Sequence, residues 1–117
     1  MNTIRRANLI KSQEVVFQAS NTDSDAAPWV SGNEVPCALI MPGTFTATSI
    51  SFLSSVDGVT YVPLYDVGGG SLYSVTVGTS RQVPLKAEVM RGVKNLKLRI
   101  GAQEGAVRTI VLVRNEV

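Results

Sequence analysis

The chain has 117 residues and a formal net charge of +2, with 44% hydrophobic and 17% charged residues. That length fits one domain with an ordinary core, and so small a charge gives no ground for nucleic acid as a main partner. Histidine is absent and cysteine occurs once, at Cys37, which removes the commonest general base, an internal disulfide and a cysteine-rich zinc site.

Residues 1–13, MNTIRRANLIKSQ, set Ile4, Leu9 and Ile10 among Arg5, Arg6 and Lys11. A helix there would be short and marginal, so the segment reads as an extended N-terminal arm. It either frays or orders by docking on a neighbouring subunit, and its large aliphatics favour docking. No apolar h-region follows Arg5-Arg6, and no apolar run reaches the roughly 20 residues of a membrane helix. The protein is therefore expected to be made in a cytosol, with no membrane partner.

Residues 14–117 read as a single domain. Glu14 to Ala19 is a first strand. In the polar loop after it, Asp23 and Asp25 alternate as in part of a calcium loop, but the glycine and distal glutamate of an EF-hand are missing, so no metal is implied. Trp29, the only tryptophan, either caps the core or stands exposed as a stacking platform for a sugar or a partner. Val35 to Met41 is an apolar strand, with Pro36 near a start that needs no ladder donor and Cys37 expected as a buried structural thiol.

The chain is organised around Thr44 to Asp66. Thr, Ser, Ile and Phe alternate from Thr44 to Leu53, as a long strand does. Asp57-Gly58 is a turn pair, and Val59 to Asp66 returns as a second strand that Pro63 demotes to an edge or a bulge. Gly68-Gly69-Gly70 is a tip and lacks the Gly-Lys-Ser/Thr ending of a phosphate loop. Ser71 to Val77 and Arg81 to Leu85 are further strands, and Ala87 to Arg91 is a helical turn stopped by Gly92. Asn95 to Ile100 points Leu96, Leu98 and Ile100 inward. Ala106 to Glu116 closes the chain with Val107, Thr109, Val111 and Val113 on one face.

About eight strands at this spacing, with no long amphipathic helix to cover a parallel sheet, predict an all-β fold. The expected form is an antiparallel two-sheet β-sandwich, jelly-roll-like, carrying the arm.

Nothing in these elements resembles a catalytic apparatus. Asp57 and Asp66 are the conceivable carboxylate pair, but both sit where aspartate serves a turn backbone. No cofactor is implied, and the chain reads as a non-enzymatic protein. Tyr61, Tyr65, Tyr73 and Trp29 offer an aromatic platform if exposed, or core filling if not.

Ser55-Val56-Asp57-Gly58-Val59-Thr60-Tyr61-Val62-Pro63-Leu64-Tyr65-Asp66, the glycine tip, the Tyr73–Val77 strand and Leu96-Lys97-Leu98-Arg99-Ile100-Gly101 together resemble a pattern of tailed-phage virion proteins. The similarity spans roughly residues 36 to 115. It covers small β-sandwich parts, among them capsid decoration (cement) proteins and tail-associated modules. The resemblance implies a virion protein on the capsid surface that binds major capsid protein subunits and stabilises the assembled shell. It further implies a homo-oligomer, a dimer or trimer on a symmetry axis. Ile4, Arg5, Arg6, Leu9, Ile10 and Trp29 are then the expected partner-binding residues. The alternative is a carbohydrate- or receptor-binding module of a tail or fibre, since a similar turn occurs in sugar-binding sandwiches.

Overall fold

The computed structural model describes residues 10–28 and 34–116. In chain order it forms β1 (Ile10–Phe17), β2 (Ala27–Pro28), β3 (Glu34–Ile40), β4 (Ser49–Ser55), β5 (Val62–Pro63), β6 (Ser74–Thr76), β7 (Gln82–Pro84), α1 (Ala87–Met90), β8 (Asn95–Arg99) and β9 (Arg108–Glu116). One sheet has the order β1-β9-β3-β7, and the other β2-β8-β4-β5, with β6 also paired to β4. All pairings are antiparallel. The fold is the expected all-β two-sheet sandwich. The first strand pairs with the last, the second with the eighth, the third with the seventh, and β4 with β5 and β6. Such nested pairing is consistent with a jelly roll.

The inner faces follow from alternation. Ile50 and Phe52 of β4 and Leu96 and Leu98 of β8 are fully buried from one sheet. Val15 and Phe17 of β1, Leu39 of β3, and Ile110 and Leu112 of β9 meet them from the other. Removing each large side chain from water contributes about 1.5–3 kcal/mol. In β9 the core face is not the one carrying Val107, Thr109, Val111 and Val113. Val107 is exposed and the other three are half-buried.

Two strand boundaries and the burial of one residue differ from expectation for physical reasons. The first strand starts at Ile10 rather than Glu14, because Ile10 to Gln13 pair with Asn115 to Leu112 of β9. Residues 10–13 of the arm expected over 1–13 thus belong to β1, and residues 1–9 lie outside the described residues. The strand expected from Thr44 starts at Ser49, because the Thr46 and Ala47 amides are given to the Glu104 carboxylate instead of a ladder. Cys37 is half-buried rather than buried. It is the extra residue of a β-bulge between Pro36 and Ala38, with its thiol 3.4 Å from the Val113 carbonyl, and desolvation raises its pKa.

Two buried glutamates close the ends of the core. Glu34 accepts Lys11 at 2.6 Å and Arg114, and the Lys11 bond is the main cause holding its carboxyl below the usual range. Glu104 holds Thr46, Ala47 and Arg108. The two arginines lie near opposite ends of β9, so one strand ties both closures together.

Candidate functional site

The surface feature that stands out lies on the β4–β6 connection. Exposed large hydrophobic side chains among the described residues are Ile40, Val56, Val59, Val62, Tyr65, Val67, Leu72 and Val107. All but Ile40 and Val107 fall within residues 56–72, along the flank of the five-stranded sheet formed by β5 and its adjoining loops. Val56 and Val59 are 84% and 82% exposed. Single exposed apolar side chains are ordinary, but this many in one stretch of chain make it the candidate surface for binding.

The flank is held rigidly, which separates it from a loose loop. In the first turn Ser55 Oγ accepts the Gly58 amide at 2.9 Å and donates to Asp57 Oδ1. Asp57 Oδ1 in turn accepts the amides of Val59 at 2.8 Å and Thr60 at 3.0 Å. Gly58 supplies the left-handed conformation at φ +79°. Asn95 reaches over from β8 to the Ser55 carbonyl. The amides of Thr60 and Val59 are the leading cause of an Asp57 pKa lowered to about 2, so the turn stays wired at any physiological pH. Val56 and Val59 therefore project because the backbone around them is already satisfied.

The second arm of the flank is a small hairpin. Tyr65 and Leu72 face each other across an isolated bridge, and the Tyr73 amide bonds the Leu64 carbonyl at 2.9 Å. Asp66 accepts the Val67 amide at 2.7 Å and Lys86 at 3.2 Å, and both hold its carboxyl below the usual range. Asp57 and Asp66, the conceivable catalytic pair, each serve a turn.

The tyrosines do not form one platform. Tyr73 is buried, stacked on Phe52 at 5.4 Å, with its hydroxyl accepting the Lys86 amide. Tyr61 is half-buried beneath the Lys97 ammonium at 4.6 Å, and desolvation raises its pKa. Only Tyr65 stands out in solvent. The acidic loop is likewise divided. Asp23 forms a two-bond pair with Arg99, whose guanidinium lowers its pKa, while Asp25 accepts Gln18. This loop lines a shallow cleft of about 470 Å³ with Lys97 and Gln103. No group of three or more potential metal ligands occurs among the described residues.

No family model matches the chain, and neither a curated protein nor a solved structure is similar to it. Its function is therefore read from its own surface. Of the expected partner-binding residues, Ile4, Arg5, Arg6, Leu9 and Trp29 lie outside the described residues, and Ile10 opens β1. From the sequence, residues 56–72 read as a turn, a strand and a glycine tip, and of their exposed apolar side chains only Tyr65 has a role there, in the aromatic platform. The available signal was valine at Val56, Val59 and Val67, in turn positions where polar residues are usual.

Proposed function

We propose that this protein is a non-enzymatic virion part, a decoration (cement) protein that binds the assembled capsid of a tailed phage and stabilises it. The observation that carries this reading is the rigid apolar flank at residues 56–72. A sandwich that fixes valines outward on a hydrogen-bonded turn is built to adhere, and an apolar patch gains most against a matching protein surface. Binding across the junction between shell subunits stabilises the shell by mass action, because only the assembled shell presents the composite site. The arm residues Ile4, Arg5, Arg6 and Leu9, with Trp29, add contacts in this reading, and copies would sit on a symmetry axis of the shell.

The test is co-sedimentation with empty shells beside a glycan array. Wild-type protein is expected to saturate shells. Val59→Asp with Val62→Asp should weaken binding by at least about tenfold, the equivalent of about 1.4 kcal/mol, with an unchanged melting temperature. Deleting residues 1–9, which leaves β1 whole, should also weaken it. Shell binding untouched by the double substitution would reject the flank. Glycan binding without shell binding would favour the alternative, a sugar- or receptor-binding tail module, for which the exposed Tyr65 is the specific feature.

A further inference from the structure

The edges of the two sheets are not equivalent. Edge strands expose unpaired N–H and C=O groups and invite another strand unless something blunts them. In β7 the Leu85 amide bonds inward to the Cys37 carbonyl, so by alternation Pro84 occupies an outward position and removes the donor there. In β5 the Leu64 amide bonds inward to Phe52, so Pro63 occupies the outward position in the same way. Strand β2 is two residues long and contains Pro28, and β6 is three residues long. The remaining edge, β1, has eight residues and no proline.

Its open portion can be located. The Val16 carbonyl accepts the Asp25 amide at 2.8 Å, away from β9. The unbroken β1–β9 register then places the backbone groups of Ile10, Ser12 and Glu14 on the same outward side. The Ser24–Asp25 loop closes the edge at Val16 and β2 lies beside β1, but among the described residues no strand pairs with the outward backbone groups of Ile10, Ser12 and Glu14, which are centred on Ser12. Lysine commonly guards such an edge, but the Lys11 ammonium is drawn back across the sheet to Glu34 at 2.6 Å.

We propose that two copies pair through β1, antiparallel about a two-fold axis at Ser12, joining their four-stranded sheets into one continuous sheet. In this register Ser12 faces Ser12 and Ile10 faces Glu14, with about six inter-strand hydrogen bonds from the outward groups. Charge and occupancy select it. Centring on Lys11 or on Glu14 would set like charges directly opposite each other. Centring on Gln13 would set Ile10 against Val16, whose carbonyl is already taken. A contact this short is weak, so the dimer is expected to depend on concentration. The pairing rests on the β1 backbone and does not require shell binding.

Sedimentation of the full chain over a range of concentrations tests it. Wild-type protein should pass from monomer to dimer, whereas Ser12→Pro should remain monomeric. Its lost N–H faces away from β9, so the fold should persist. Register is tested in a Cys37→Ala background. Ser12→Cys should form a disulfide-linked dimer on mild oxidation, because facing Cα atoms lie about 5.5 Å apart, within disulfide reach. Glu14→Cys should not, because its counterpart lies about 13 Å further along the strands. A wild-type monomer at every concentration, a Ser12→Pro variant that dimerises like wild type, or crosslinking at Glu14→Cys in place of Ser12→Cys would each overturn the proposal. Should Ser12→Pro fail to fold, the cysteine pair decides.

Discussion

Replacing Glu104 with alanine is expected to cost about 3–5 kcal/mol, the range for removing one partner of a buried ion pair. The side chain is 1% exposed, and its oxygens accept the Thr46 amide, the Ala47 amide at 2.9 Å and the Arg108 guanidinium at 3.2 Å. Alanine strands all three donors at once. Glu104→Gln keeps the shape but turns an amide toward donors, and about 1–3 kcal/mol is expected. Burial pushes the Glu104 carboxyl up, but the hydrogen bonds from Thr46, Ala47 and Arg108 outweigh it and leave the pKa below the ordinary 4.5. A depressed folded pKa contributes stability that is full above the unfolded value and lost as pH falls through the folded one. The gap between wild type and Glu104→Gln should therefore narrow below about pH 4. Glu34, lowered as well, adds to acid loss in the same window for both proteins. Urea unfolding at pH 7 and at successively lower pH measures this. A gap of equal size throughout, or an alanine variant within 1 kcal/mol of wild type, would refute the role given to Glu104.

The sheets were legible where only one face is apolar. In β8 Lys97 and Arg99 alternate with Leu96 and Leu98, so the inward set admits a single reading, and the fold obeys it. Strand β9 carries apolar residues on both faces, the outer ones half-buried between β1 and β3, and period two alone cannot choose Ile110 and Leu112 over Val111 and Val113. The Asp57-Gly58 turn and the helical turn before Gly92 were legible because both need a glycine at positive φ, and Gly58 and Gly92 supply it. Glu34 and Glu104 left no local trace. Arg108 is only four residues from Glu104, but the amides that bury Glu104 belong to Thr46 and Ala47, more than 50 residues away, and Glu34 depends on Arg114, 80 residues away. The apolar flank was hidden for a related reason. A valine in a turn is read as core by its chemistry, and only tertiary structure shows that Ser55, Asp57 and Asn95 have fixed it outward.

That arrangement sets what the core must do for the surface. Phe52 is fully buried in β4, stacks on Tyr73 at 5.4 Å with planes 27° apart, faces Leu98, and accepts the Leu64 amide through its carbonyl at 2.9 Å. Tyr73 then passes the order on, its hydroxyl holding the Lys86 amide and its own amide holding Leu64. Phe52→Ala removes the ring beneath this chain of contacts and is expected to cost about 3–5 kcal/mol. For a domain of this size that is a fall of roughly 10–25 °C in melting temperature. Phe52→Leu keeps most of the volume and should cost under about 1.5 kcal/mol. Val62→Ala, on the exposed strand of the same flank, should stay within about 0.5 kcal/mol. Hydrogen exchange adds a local readout. In Phe52→Ala the amides of Leu64 and Tyr73 should lose protection before those of β9, because among the described residues β5 and β6 pair with no strand but β4. Equal loss across both sheets would mean the flank is not held through Phe52. A cost no larger than that of Val62→Ala would mean the ring is not packed as described.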